Sequence, residues 1–422
     1  MLELPPRNEF ALRESLAFAP QMRTAIFVLA SILAISGCDQ KKPTATPPPP
    51  IVKLADADLA SAEDFAESIV AAAHEGDKAK LTALQDLESV WSESIRDLNA
   101  PKKYLAGMKS GFMSTVKSNG GLFGAYIGKP IEFIRAHERD GETVLLIRLR
   151  EEAGGAGYHD FFLTRLPDGK FLVRDLFNYA LGERATTLMQ RIIAQSVAVE
   201  TKSPLSQIFG GAKSTVKAAD LEKAFGLSKF LQAGKFEELL TTSETLPAEL
   251  RNERFVQFLR VQAAMALDDE PRYIKVMDEL AAAFPKDPSV GFILMDRHFL
   301  KKDFKQALRS VDDLTRQLGN DAFLASLQAT CLIALKQFDD AEAAIKAGLE
   351  VEPGDFAIQM VRVDLLAKKK DHAEVRKLLE SLHAEFDQII DPAKAEEAGL
   401  KEFFESPDGK AYTEFLKKAG EI

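Results

Sequence analysis

The chain has 422 residues, 46% of them hydrophobic, and a formal net charge of -10. That length suffices for two or three globular domains, and the acidic balance leaves no basic footprint for a nucleic acid. The only cysteines, Cys38 and Cys331, supply neither a zinc framework nor a disulfide set. The six histidines include no His-x-x-x-His pair.

Residues 22–38 read Met-Arg-Thr-Ala-Ile-Phe-Val-Leu-Ala-Ser-Ile-Leu-Ala-Ile-Ser-Gly-Cys. One cation, Arg23, precedes an apolar run over 25–35, which is shorter than the roughly 20 residues a membrane-spanning helix needs. Small residues Ser36 and Gly37 and then Cys38 follow it. This stretch resembles a bacterial lipoprotein signal, with Ile35-Ser36-Gly37-Cys38 as its lipobox. The resemblance implies export, cleavage before Cys38 and lipid on its thiol. Several acyl chains there would anchor the protein stably, which one chain alone does not. Glu3, Glu9, Glu14 and Pro5-Pro6 suit no signal n-region, so translation is expected to start at Met22 and the signal to occupy 1–38. Asp39 resembles the inner-membrane retention signal of enteric bacteria. The expected location is the cell envelope, facing the periplasm, with inner and outer membrane left open.

Residues 39–54 read as a linker, whose Pro47-Pro48-Pro49-Pro50 favours an extended, semi-rigid spacer. Residues 55–200 read as an α+β domain. Ser61 is placed as the cap of a helix carrying Phe65, Ile69 and Val70 and ending near Gly76. Asp77 is placed as the cap of one continuous helix through Leu81, Leu84, Leu87, Val90 and Trp91. The period then changes to two, predicting strands at 131–134, 143–149, 158–165 and 171–177, with Asp140-Gly141 and Asp168-Gly169 as hairpin turns. Helices followed by an antiparallel meander resemble, in element order, the cystatin-like or nuclear-transport-factor-2-like class. The glycine runs 120–124 and 154–157 lack the lysine of a phosphate loop and read as loops or turns.

After a second linker, 201–217, a repeat takes over. Phe304 is followed by Ala307, Val311 and Leu314; Phe338 by Ala341, Ile345 and Gly348; His372 by Val375, Leu379 and Leu382. These openers are 34 apart twice (338 − 304 and 372 − 338), and Pro353 lies fifteen after Phe338. Tyr273, with Pro288 fifteen on, and Phe236 read as further openers. The pattern resembles tetratricopeptide repeats, four or five helical hairpins over 218–387. It departs from that family in spacing, 37 from Phe236 to Tyr273 and 31 from Tyr273 to Phe304, and in having Ala325 and Leu332 where the family places aromatics. Residues 388–422 are expected to cap the stack. One helix would start at Asp391-Pro392 with Leu400, Phe403 and Phe404, and a last one at Ser406-Pro407 with Tyr412, Phe415 and Leu416. The expected fold is thus an α+β domain with a curved antiparallel sheet, followed by an all-α helical-repeat solenoid.

The polar cluster with most chemical promise is Tyr158, His159, Asp160, Asp175, Tyr179 and Glu183, in which His159 would be a general base oriented by a carboxylate. Adjacent strand residues face opposite sides, so His159 and Asp160 cannot both serve one pocket. The expectation is therefore no catalytic residue, no metal and no cofactor. Lys368-Lys369-Lys370 reads as a solvated loop, His372 as a packing residue and Cys331 as a small core residue. The function expected is a lipid-anchored, non-catalytic scaffold that binds other proteins through a repeat groove. Asp296, Arg297, Gln328 and Gln359 are its candidate contacts. Two alternatives stand beside it. In one, the α+β domain binds or converts a small molecule, with the repeats as a docking arm. In the other, the repeats dimerise.

Overall fold

A computed structural model describes residues 56–150, 155–201, 218–285, 288–396 and 398–422. The signal stretch, Cys38, the proline linker and residues 202–217 lie outside them. The order is α+β and then all-α. Helices α1 (Asp56–His74), α2 (Lys78–Ala83), α3 (Leu87–Ser94) and α4 (Lys102–Asn119) lead through a 3-10 turn (Gly121–Tyr126) into the sheet. Its strands are β1 (Ile131–Arg139), β2 (Glu142–Arg150), β3 (Ala156–Arg165), β4 (Phe171–Asn178) and β5 (Glu183–Arg184), and α5 (Ala185–Thr201) follows. The five strands form one antiparallel meander in chain order.

Local chemistry explains the sheet. Asp140 and Gly141 both take positive φ, 55° and 78°, so the β1–β2 turn is the mirror-image type whose twist matches the strands. At the β3–β4 turn only Gly169 is left-handed, and its N–H donates to the Leu166 carbonyl at 2.9 Å. Alternation sends Leu145, Ile147, Leu149 and Phe161 to one face, where they pack with Ala62, Ala66 and Ile69 of α1 and with Phe123. Alanines at the α1 contact let that helix lie close to the sheet.

Several expectations are corrected. Ser61 lies inside α1, which starts five residues earlier. The helix expected from Asp77 to Trp91 is two helices. Val173 donates to the Leu84 carbonyl at 2.9 Å and accepts from the Asp86 N–H at 2.8 Å, so the chain at 84–86 bonds to β4 instead of continuing the helix. Asp77 caps α2, and Asp86 restarts the chain as the cap of α3, its carboxylate accepting from the Ser89 N–H at 3.0 Å. Buried Gln85 locks the junction, donating to the Leu81 and Gly120 carbonyls and accepting from the Leu122 N–H. The glycine runs are not plain loops: Gly120 ends α4 in the left-handed region, Gly121 opens the 3-10 turn, and Gly157 belongs to β3.

The remaining helices are α6 (Ala218–Gln232), α7 (Phe236–Glu244), α8 (Ala248–Arg251), α9 (Arg254–Ala266), α10 (Glu270–Ala283), α11 (Pro288–Leu300), α12 (Phe304–Leu318), α13 (Ala322–Ala334), α14 (Phe338–Val351), α15 (Phe356–Lys368), α16 (His372–Phe386), α17 (Lys401–Glu405) and α18 (Pro407–Ala419). The period is stricter than the openers imply. Second helices begin at Phe236, Glu270, Phe304, Phe338 and His372, each 34 after the last. The turn before each is made by a left-handed residue, Gly234, Asp268, Lys302, Lys336 and Lys370, again 34 apart. The opener of the second hairpin is therefore Glu270, and Tyr273 stands three further on, where the other hairpins place Leu239, Ala307, Ala341 and Val375. Aromatic character misled the register. Tyr273, Met277 and Leu280 are all buried, at the positions of Ala341, Ile345 and Gly348. Pro285, not Pro288, then holds the place of Pro353, and Pro288 opens α11.

The described residues group into two units that divide at Leu294 and Met295. In the second, α13 packs on α14 and α15 through Ala329, Ile333, Ala341, Ile345, Ile358 and Leu365. Its end is an aromatic cap, with Phe403, Tyr412 and Leu416 against Val375, Leu379 and Leu382 of α16. His372 packs on Phe403, centroids 6.0 Å apart. Asp391-Pro392 starts only a 3-10 turn (Pro392–Lys394), with α17 a separate short helix. Ser406 caps α18 as expected, its hydroxyl accepting from the Gly409 N–H at 3.1 Å.

Two glycines are required by close approach. A Cβ on Gly409 would lie 2.1 Å from the Phe403 carbonyl oxygen, and one on Gly348 would lie 2.1 Å from Ile358 Cδ1 and 2.9 Å from Ala325 Cβ. Gly409→Ala and Gly348→Ala are each expected to destabilise the fold, by about 1–3 kcal/mol. Gly409→Ala should cost more, because backbone cannot rotate away as Ile358 can. Urea unfolding followed by tryptophan-independent circular dichroism measures both, and a wild-type midpoint for Gly409→Ala would refute the packing.

Candidate functional site

The register of the sheet decides which polar residues share a face. Ile147 pairs His159, which pairs Asn178; Leu146 pairs Asp160, which pairs Phe177; Phe162 pairs Asp175. His159 therefore lies on the face of Ile147 and Phe161, towards α1, whereas Tyr158, Asp160 and Asp175 lie on the opposite face. The expected pocket residues are thus split, with His159 apart from Tyr158, Asp160 and Asp175.

On the α1 face, His159 is buried. Its ring stands edge-on to Tyr126, centroids 5.3 Å apart, and the Asn178 amide meets its Nε2 at 2.6 Å. The Asn178 Oδ1 accepts from the Leu181 N–H at 2.8 Å, which turns the amide nitrogen towards the ring as a donor. Burial pushes the His159 pKa down to about 3, so the imidazole is neutral at any physiological pH and is a weak base.

The opposite face is charged and yet largely buried. The Asp160 carboxylate is 0% exposed, accepts from Arg139 Nη1 at 2.7 Å and the Tyr179 hydroxyl at 2.8 Å, and lies 3.8 Å from His137 Nε2. Arg135, His137 and Arg139 alternate along β1 and so share this face. The Arg139 guanidinium also lies 4.0 Å over the Phe177 ring. Burial, with Arg135 and Arg139 acting in the same sense against Asp160, pushes the His137 pKa down to about 4. Arg148, also 0% exposed, pairs with Glu132, which reaches Arg150 at 2.8 Å as well.

Asp175 starts α5. Its carboxylate accepts from the Leu176 N–H at 2.8 Å, the Thr186 N–H at 3.1 Å and the Thr186 hydroxyl at 2.6 Å. Burial raises its pKa against those bonds. Arg184 stacks 3.7 Å over Phe162 and bonds Glu142 at 3.3 Å. Glu183 pairs with Arg191, and the Leu181 carbonyl accepts from Arg254 Nη1 at 2.8 Å, tying the end of the sheet to α9. Burial and the Arg191 charge bring the Arg254 pKa down to about 10.

Among the candidate contacts on the helices, Asp296 is 1% exposed, so it is not an accessible contact. Arg297, Gln328 and Gln359 are half-buried; Gln328 Nε2 donates to Asp312 at 3.0 Å and Gln359 Nε2 to the Pro353 carbonyl at 3.4 Å. The period adds a residue that sequence reasoning missed. Asp364 is 68 after Asp296, twice 34, so both occupy one repeat position, with Thr330 between them. Asp364 is 9% exposed, and burial raises its pKa against Lys368. The lysine run is engaged, Lys369 with Glu342 at 2.5 Å and Lys370 with Glu402 at 2.9 Å. Cys331 is buried, which pushes its thiol up to about 12 and leaves it without thiolate reactivity. No family model, curated protein or solved structure matches the chain. Among the described residues, no helix is long and apolar enough to cross a membrane.

Two measurements test this account of the sheet. Asp160→Ala leaves Arg139 facing a buried site without its acid and should cost about 3–5 kcal/mol, against about 1 kcal/mol for Tyr179→Phe. His137 and His159 have folded pKa values below their ordinary 6.5. Below about pH 6.5 the unfolded chain takes up protons that these rings refuse in the fold, so stability falls as pH drops towards about 4. His159→Gln should flatten that slope by up to about 1.4 kcal/mol per pH unit, read from urea titrations at several pH values; an unchanged slope would show that the ring titrates freely.

Proposed function

We propose that the protein is a lipid-anchored, non-catalytic scaffold of the bacterial envelope, held by lipid on Cys38 and binding other proteins through its helical hairpins. The observation that carries the reading is the uninterrupted 34-residue period of the helix starts. A hairpin of this kind cannot bury its apolar stripe alone, and stacked copies offer extended surfaces suited to peptide segments or helices. The sheet supports the same reading from the other side. His159 is neutral and lies across the sheet from Asp160 and Asp175, and those carboxylates hold Arg139, Tyr179 and the start of α5. Arg297, Gln328 and Gln359 are the contacts proposed for the partner.

The test is crosslinking of the full-length protein in its native envelope. The expected result is a reproducible protein partner whose yield drops when Arg297, Gln328 and Gln359 are replaced together by alanine. Cys38→Ser should abolish labelling by a palmitate analogue and release the protein from the membrane pellet. Unchanged labelling in Cys38→Ser would refute the anchor, and a partner indifferent to the triple variant would refute the proposed face.

A further inference from the structure

The geometry points to a divalent transition-metal site at the C-terminal cap, formed by His383, Asp387 and Glu421. Among the described residues these three each offer one ligand atom, and the atoms all lie within 4.8 Å of one another. His383 sits in the last turn of α16, and Asp387 follows that helix at its left-handed end, its N–H donating to the His383 carbonyl at 2.9 Å. Glu421 follows Gly420, the left-handed residue that ends α18, and its N–H donates to the Leu416 carbonyl at 3.0 Å. Two helix C-termini thus bring their ligands together. Their partial negative charge adds to that of the two carboxylates and favours a cation.

The separation of His383 and Glu421 suits an ion pair and equally suits two donors on one metal ion. His383 Nε2 and Glu421 Oε1 are 3.4 Å apart, longer than a good N–H···O bond of about 2.7–3.2 Å. Donors held at about 2.0–2.1 Å around a tetrahedral ion are themselves about 3.3 Å apart. The His383 ring is braced edge-on by Phe415, centroids 5.5 Å apart and planes at 89°, and the His383 and Glu421 side chains are largely shielded, at 17% and 16% exposure. Asp387 is exposed and able to swing onto an ion already held by the other two. One imidazole with two carboxylates suits Zn²⁺ and its neighbours rather than Ca²⁺, which prefers an all-oxygen shell. Three protein ligands leave a fourth position for water. The ion would staple the end of α18 to the end of α16.

The experiment uses the full chain, stripped with a chelator and titrated with Zn²⁺ by calorimetry, alongside Asp387→Asn, Glu421→Gln and His383→Ala. Asparagine tolerates the left-handed backbone of position 387, and glutamine keeps the size and shape of the side chain at 421, so both carboxylate variants keep the fold. The expected result is one Zn²⁺ per chain, affinity reduced at least about tenfold in each variant, and a Zn²⁺-dependent rise in Tm that the variants lose. No saturable binding, or binding unchanged in His383→Ala and Asp387→Asn, would overturn the site. A His383→Ala variant that lowers Tm while Zn²⁺ has no effect on the wild type would leave only a His383–Glu421 ion pair.

Discussion

Every hairpin of the helical region reverses through a single backbone residue held in the left-handed region, and the positions of those residues, 234, 268, 302, 336 and 370, set everything after them. A residue at positive φ ends the first helix and aims the chain so that the next helix starts two residues later. The first buried position then comes three residues into that helix, and the others follow at seven and ten. Because the interval never changes, Leu239, Tyr273, Ala307, Ala341 and Val375 occupy one structural place despite their different sizes. The size differences have to be absorbed across the helix interface. Where α14 has only Gly348, Ile358 of α15 and Ala325 of α13 fill the space.

The turn residues are costly choices, since only glycine takes positive φ without strain. Three of the five are lysines, and a lysine there keeps its long side chain in solvent or in an ion pair, as Lys370 does with Glu402. The run Lys368-Lys369-Lys370 is therefore explained by the turn and by two acidic neighbours, with no ligand required. The same logic applies to the sheet. A carboxylate as buried as Asp160 is tolerable because a guanidinium and a phenol bond it, and Asp175 because the start of α5 supplies the Thr186 N–H and hydroxyl and β4 the Leu176 N–H. These groups are consumed in holding β1, β3, β4 and α5 together.

The order of elements was legible because it rests on local signals. Asp140-Gly141 and Asp168-Gly169 mark hairpins by backbone preference alone, and alternation in 143–149 and 158–165 marks the strands. The separation of His159 from Asp160 was legible for the same reason. What local signals could not show was competition from distant chain. The helix from Asp77 breaks because Leu84 and Asp86 bond to Val173, nearly ninety residues away in sequence. Helix α4 turns Tyr104, Leu105, Met108 and Phe112 onto Trp91 and onto Ile193, Ala194 and Val197 of α5, partners from both ends of the domain. The register of the second hairpin was misjudged because Tyr273 looks like an opener. The decisive residue is Asp268, whose positive φ no composition reveals. Asp364 was missed for a related reason, since its equivalence to Asp296 emerges only once the period is strict.

An array built on a constant interval has to stop somewhere, and its end obeys different rules. Fifteen residues after each opener the inner hairpins carry Pro285, Gly319 and Pro353, residues that turn the chain into the next first helix. The hairpin opened by His372 carries Asp387 at that place, and among the described residues no further helix start follows at the 34-residue interval. The apolar stripe of α16, with Val375, Leu379 and Leu382, would then face water, and the chain covers it with Phe403, Tyr412 and Leu416 from two short helices. Helix α17 has only 5 residues and cannot hold itself, and the cap leans on a backbone-tight junction at Gly409 and on aromatic edges around His372 and His383. The cap is also where ionisable side chains from the ends of α16 and α18 are brought together.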